Sequence, residues 1–230
     1  MYQALVDACE TVDTDTTIKA LILRGAGGKA FGTGTDINQF RNFKTDQDGI
    51  AYETYLDTVL ARLEQVNKPT IAQIQGIAAG GSLAIAITCD LRLSSPESSF
   101  GVPIARTLGN CLSASTHIRF IDLIGPARLK DIIFTGRLID AQEAVSIGLI
   151  NRVINAAQLE KTTVDLARDI AANAPLTINS TKEMLRRIQS NNSTQSNAGH
   201  DLIAKCYTSN DFREGVDAFL AKRSPRWQST

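Results

Sequence analysis

Residues 70–95, TIAQIQGIAAGGSLAIAITCDLRLSS, leave little choice of architecture. An apolar opening rich in β-branched residues reads as a buried strand, a Gly-Gly turn follows, and small residues from Ser82 to Cys89 read as a helix. A second strand comes straight after. So much structure in so short a stretch implies a tightly coiled βα unit. Ala84, Ala86 and Thr88 carry short side chains, which suits a helix packed closely inside a core.

The flanking sequence extends this alternation. Leu5, Ala8, Cys9 and Val12 fall at helical spacing, and TTIKALILRG then reads as a buried strand ending at Gly25, so the chain reads as beginning inside a fold. Residues 46–66 form an amphipathic helix with Tyr52, Tyr55, Leu56, Val59, Leu60 and Leu63 along one side, stopped by Lys68-Pro69. STHIRFIDLIG, ARLKDIIFTG and DAQEAVSIGL read as helices, the last with Asp140 as N-cap and Gly148 at its end, and INRVI reads as a strand. Past residue 155 only helical patterns follow, at 157–173, 176–190, 195–208 and 211–222. The expectation is a two-part chain, a strand-rich core over 1–155 and a helical region over 156–230.

Charge and cysteine usage exclude several function classes. Lys plus Arg and Asp plus Glu stand at 24 each, so no bulk field draws the chain to nucleic acid or to an anionic membrane. Four cysteines without CxxC spacing and two distant histidines suggest neither a zinc site nor a disulfide framework, and a reducing cytoplasm is the expected location. The longest apolar run, Gly80 to Cys89, is too short to span a bilayer.

Two glycine turns carry the chemistry. FGTGTDI (31–37) and AAGGSLAIA (78–86) each precede a helix start, where glycines let backbone N–H groups face outward and the helix terminus adds positive potential. Converging on one oxygen, two such donors would form an oxyanion hole. GAGGKAFG lacks the Gly-Lys-Ser/Thr ending of a phosphate loop and is not read as one.

In order along the chain, LILRGAGGKAFGTGTDI, NKPTIAQIQGIAAGGSLAIAITCDLRLSS, FGVP, IIFTGRLIDAQEAVSIGLINRVI and DFREGVDAFLAKRSPRW resemble the enoyl-CoA hydratase/isomerase (crotonase) family over nearly the whole sequence. The resemblance implies an α/β fold, a crotonase-like spiral of ββα units with a C-terminal helical trimerisation region, assembled as a homotrimer or dimer of trimers. It implies an acyl-CoA substrate whose coenzyme A is part of that substrate, and no separate cofactor or metal. Its thioester oxygen would be held by the backbone N–H groups of Thr35 and Gly81, with Gly34, Asp36, Ile37 and Gly80 beside them. An opening strand pair ahead of the first helix, with a basic residue on the CoA adenine, belongs to the family pattern and is absent from this sequence.

The departures from that pattern concern proton transfer. The two glutamates with which hydratases of the family activate water fall at Ala84 and Ile104 here, so both positions are apolar. Standard two-glutamate hydration is therefore not expected, and a lyase or isomerase of the family, or a catalytically silent CoA-binding or assembly paralogue, are the readings left. Arg106, Asn110, Cys111, Ser113 and His117 remain near the expected acyl pocket. Asn110 and Ile104 are expected to contact substrate, His117 to be a surface or packing residue, and Cys111 to be a buried, inert thiol. The resemblance further places Lys222 on the CoA of a neighbouring subunit, with Phe219 beside it.

Overall fold

The structure, a computed structural model, describes residues 1–189, 201 and 208–228, without the side chains of 219 and 220. The expected helix over 195–208 and the packing of Phe219 lie outside the described residues.

The chain opens with helix α1 (Tyr2–Thr14) and then lays down strands in pairs, each pair followed by a helix. Strands β1 (Leu21–Arg24) and β2 (Ala30–Gly32) precede helix α2 (Asp46–Glu64), and β3 (Thr70–Ile74) and β4 (Ile77–Ala79) precede helix α3 (Gly81–Thr88). Strands β5 (Leu91–Ser94) and β6 (Ser99–Gly101) precede the short α4 (Ile104–Thr107) and the long α5 (Ala114–Thr135). After β7 (Ile139–Asp140), α6 (Ala141–Ser146) and β8 (Arg152–Val153) come α7 (Ala156–Ala171), α8 (Pro175–Gln189) and α9 (Asn210–Leu220). The first member of each of these three pairs joins one sheet, completed by β8 in the order β1-β3-β5-β8, and the second joins another, completed by β7 in the order β2-β4-β6-β7. All pairings are parallel except β6 with β7, so each ββα turn stacks on the one before it.

A step inside the 70–95 stretch was not legible in its apolar pattern. The sequence reading has one strand before the Gly-Gly turn, whereas the chain forms two, divided at Gly76. Gly76 takes φ 68°, a left-handed conformation that ends β3 and sends the chain into the second sheet. STHIRFIDLIG and ARLKDIIFTG lie end to end in α5, broken at Gly125 (φ 73°, ψ 163°) and restarted by Pro126, a residue that suits a first helical turn.

The core explains why α3 is so poor in large side chains. Every residue from Ser82 to Thr88 is buried, and α3 packs with α2, α5 and the second sheet. The carbonyls at its C-terminus are met by buried Arg92, whose Nη1 donates to the Cys89 carbonyl at 2.5 Å while its Nε donates to Leu149 O at 2.8 Å. Helix α2 begins with a reciprocal cap, the Thr45 hydroxyl accepting from Asp48 N and the Asp48 carboxylate from Thr45 N. On the other face of the first sheet, Ile71 and Leu93 pack with Leu159 of α7. Helix α8 is tied to the core by Lys182, which pairs with Asp90 at 2.5 Å and donates to Lys68 O. Among the described residues no helix is long and apolar enough to cross a membrane.

Candidate active site

The two glycine turns, nearly fifty residues apart in sequence, lie against each other because β2 and β4 are adjacent parallel strands whose C-terminal ends carry them. Gly34 takes φ 106° and Gly80 φ 54°, conformations that side chains resist. A Cβ on Gly80 would stand 3.7 Å from the Gly34 Cα, and one on Gly34 would stand 3.9 Å from the Gly81 nitrogen. Ser82 fastens the two turns, its Oγ accepting from Gly34 N at 3.2 Å. The amides of Thr35 and Gly81 have no hydrogen-bond acceptor among the described residues. Gly81 is the first residue of α3, where an N–H has no intrahelical partner.

Side chains from two helices meet at these turns. Thr35 Oγ1 is within 2.5 Å of the Tyr2 hydroxyl of α1 and within 2.5 Å of the Tyr52 hydroxyl of α2, making a chain of three hydroxyls. A Cβ on Gly81 would lie 2.6 Å from the Tyr2 hydroxyl and 3.3 Å from Thr35 Oγ1, so this chain borders the Gly81 amide. Burial pushes the Tyr52 phenol above its ordinary range. Phe40 stacks edge-on against Tyr52 with ring centres 5.0 Å apart.

Tyr52 also walls a cavity of about 630 Å³ that lies between α2, the residues after Asp36 and the loop ahead of α5. Its polar lining includes Glu53, Asp57, Asn110 and Ser113. Glu53 Oε2 accepts from Ser113 N at 2.9 Å, while Asp57 accepts from the hydroxyls of Ser113 and Ser115 at 2.7 and 3.1 Å. Two carboxylates one helical turn apart thus hold the N-terminus of α5, where anions are favoured. Burial raises the Glu53 carboxyl above the usual glutamate range, against the opposing effect of the Ser113 amide.

That shift has a stability consequence. The folded chain holds the Glu53 proton more tightly than the unfolded chain, so this contribution is complete at acid pH and is lost as pH rises through the raised value. Glu53→Gln keeps an acceptor for Ser113 N and removes the charge. Urea midpoints of parent and variant, measured across this range, are expected to shift in the variant's favour toward neutrality; a pH-independent difference would contradict the assignment.

The remaining sequence expectations are placed as follows. Ala84 is 1% exposed and Ile104 8% exposed, both inside the main apolar cluster. Asp36 caps the turn after it by accepting from Asn38 N, and Ile37 is exposed. Asn110 is exposed at the cavity mouth, and Arg106 packs its Cβ toward Gly136. His117 is half-buried on α5 with Nδ1 2.9 Å from Ser113 O, in keeping with a packing residue. Cys111 is a correction: it is exposed in the cavity lining, because the 108–113 loop runs over the surface without a helix to cover it. Lys222 is exposed after α9 in left-handed backbone (φ 50°), and has no hydrogen bond or ion pair with the glycine turns. Tyr2 and Glu53 were absent from the sequence reading, and Tyr52 entered it only as part of an apolar face. The available signal was Glu53 and Asp57, four residues apart beside tyrosines on an otherwise apolar helix face.

Comparison with known proteins agrees with this architecture. The family description "Enoyl-CoA hydratase/isomerase" matches residues 1–230. A short-chain-enoyl-CoA hydratase of Clostridium acetobutylicum is 33% identical over 213 residues, which is 92% of this chain and 81% of that protein. A crotonyl-CoA hydratase of Syntrophomonas wolfei is 29% identical across 97% of this chain and 85% of its own length. The crystal structure of an enoyl-CoA hydratase/carnithine racemase from Magnetospirillum magneticum superposes with a TM-score of 0.93 at 33% identity, covering 100% of this chain and 86% of that one. With paired strands wound into two stacked sheets and a match that runs from first residue to last, the chain belongs to the enoyl-CoA hydratase/isomerase family.

Proposed function

We propose that this chain binds an acyl-CoA thioester and stabilises the enolate formed from it, with the thioester oxygen held between the amides of Thr35 and Gly81. The observation that carries the reading is the meeting of two glycine turns from distant parts of the chain, with both amides free of acceptors among the described residues. A carbonyl oxygen gains negative charge as its α-carbon loses a proton, and each fixed N–H aimed at that oxygen supplies roughly 3 kcal/mol in the transition state. Paired-carboxylate hydration is no part of the proposal, since Ala84 and Ile104 are buried among apolar side chains and offer water neither a base nor an acid. On the same reading Lys222 meets the CoA of a neighbouring subunit in a homotrimer or dimer of trimers, to which the helical region over 156–230 contributes.

Crotonyl-CoA carrying a carbon-13 thioester carbonyl tests this. The expected result is binding with the carbonyl stretch moved to lower frequency, and no decay of the enoyl absorbance at catalytic enzyme concentration. Binding without a carbonyl shift would remove the oxyanion hole, and rapid absorbance decay would show a hydrating acid and base elsewhere. A polarised carbonyl in every acyl-CoA tried, without turnover of any, would favour a silent CoA-binding protein.

A further inference from the structure

The enolate reading needs a group that takes the proton, and the two family positions for it are apolar. The cavity walled by Tyr52 holds two carboxylates, Glu53 and Asp57, and Tyr52 itself is hydrogen-bonded to Thr35 of the first glycine turn. Thr35, whose amide is assigned to the hole, shares a hydrogen bond between its hydroxyl and that of Tyr52, and the Tyr52 side chain is part of the cavity wall. An acyl group running from the hole along Tyr52 would reach the space lined by Glu53, Asp57 and Asn110.

Geometry separates these groups. Both oxygens of Asp57 are taken by serine hydroxyls. The Tyr52 hydroxyl is engaged with Thr35. The imidazole of His117 is turned to the Ser113 carbonyl and is not part of the cavity lining. Glu53 is different: Oε2 is fixed by Ser113 N, and Oε1 has no hydrogen-bond partner among the described residues. One oxygen anchors the side chain and the other is left for substrate.

Resting on the acyl-CoA reading above, we propose that Glu53 is the general base of this enzyme, a carboxylate supplied by α2 in place of those missing from α3 and α4. Its Oε1 removes a proton from the α-carbon of the bound acyl group. The C–H electron pair becomes the new carbon–carbon π bond, the carbonyl π pair moves onto the thioester oxygen, and that oxygen is held by the amides of Thr35 and Gly81. The proton then sits on the Glu53 carboxyl. Returned to the α-carbon after exchange with solvent, it gives isotope exchange; delivered to the γ-carbon of a β,γ-unsaturated acyl group, it moves the double bond into conjugation. Neither outcome consumes another reactant. Burial raises the Glu53 carboxyl above the usual glutamate range, which strengthens it as a proton acceptor.

The test is deuterium uptake from heavy water into butanoyl-, vinylacetyl- and phenylacetyl-CoA, followed by mass spectrometry, with the thioester carbonyl frequency read on the same samples. The parent is expected to incorporate deuterium into at least one of them. Glu53→Gln is expected to slow that uptake about a hundredfold or more while leaving the carbonyl as strongly polarised as in the parent. Glu53→Asp, which keeps the charge but shortens the reach, should lie between the two. Uptake by Glu53→Gln within threefold of the parent overturns the assignment of Glu53, and so does a parent that polarises the carbonyl but incorporates no deuterium. A parent that binds these thioesters without polarising them, or does not bind them, overturns the acyl-CoA reading and Glu53 with it.

Discussion

Gly76→Ala is expected to destabilise the fold by about 4 kcal/mol, the largest loss of any single methyl added to this chain's left-handed glycines. Two effects combine. Gly76 has φ 68°, which a β-carbon penalises by about 1–2 kcal/mol on its own. The added Cβ would also stand 2.1 Å from the Lys29 carbonyl oxygen and 2.9 Å from its carbon. Those are backbone atoms just ahead of β2, the strand that pairs with β4 at Ala30 and Ile77, so relief requires these two neighbouring strands to part locally. Gly27 supplies the control, with φ 76° and nothing within 4 Å of its would-be Cβ. Gly27→Ala should therefore show only the conformational penalty, about 1–2 kcal/mol. Urea denaturation of both variants checks this, and equal losses would mean that the turn into β4 tolerates the methyl and does not fix the approach of β4 to β2.

Gly81→Ala is expected to lower deuterium uptake into acyl-CoA by about a hundredfold to a thousandfold while changing the urea midpoint little. Here the crowded atoms are the Tyr2 hydroxyl at 2.6 Å and Thr35 Oγ1 at 3.3 Å. The first ends a long side chain on α1 that can swing aside, so the fold absorbs the change. The proposed hole cannot, because the methyl stands beside the amide meant for the thioester oxygen and separates the hydroxyl chain from it. The carbonyl frequency of a bound labelled thioester should move back toward its value in water. Full retention of uptake and of the carbonyl shift would place the oxygen elsewhere. The contrast with Gly76 is one of surroundings: a methyl against fixed backbone costs stability, while the same methyl against a mobile side chain costs function.

Much of the fold was legible because hydrophobic period and turn chemistry are local properties. The expected helix over 46–66 is Asp46–Glu64, and those over 157–173 and 176–190 are Ala156–Ala171 and Pro175–Gln189. Asp140 caps α6 through Glu143 N, as its place before an apolar run implied. The split of residues 70–79 at Gly76 was not legible, since an apolar run looks alike whether it stays in one sheet or crosses to another. The exposure of Cys111 also escaped the sequence, because nothing in its neighbours tells which loop a cavity will undercut.

For the site the division is sharper. The sequence alone determined the two glycine turns, the apolar residues at Ala84 and Ile104, and the family pattern that links them. Each is a matter of residue type at a position, and residue type survives without coordinates. Only the tertiary structure decided that Tyr2, Thr35 and Tyr52 share one chain of hydroxyls, and that Glu53 stands in the adjoining cavity with one oxygen anchored and the other without a hydrogen-bond partner among the described residues. Those groups come from α1, the turn after β2, and α2, and the spiral winding alone brings them together. Hydrogen bonds reach about 3 Å, whereas the pattern of a sequence records neighbours along the chain, so contacts between distant segments are set by packing and can be read only from it.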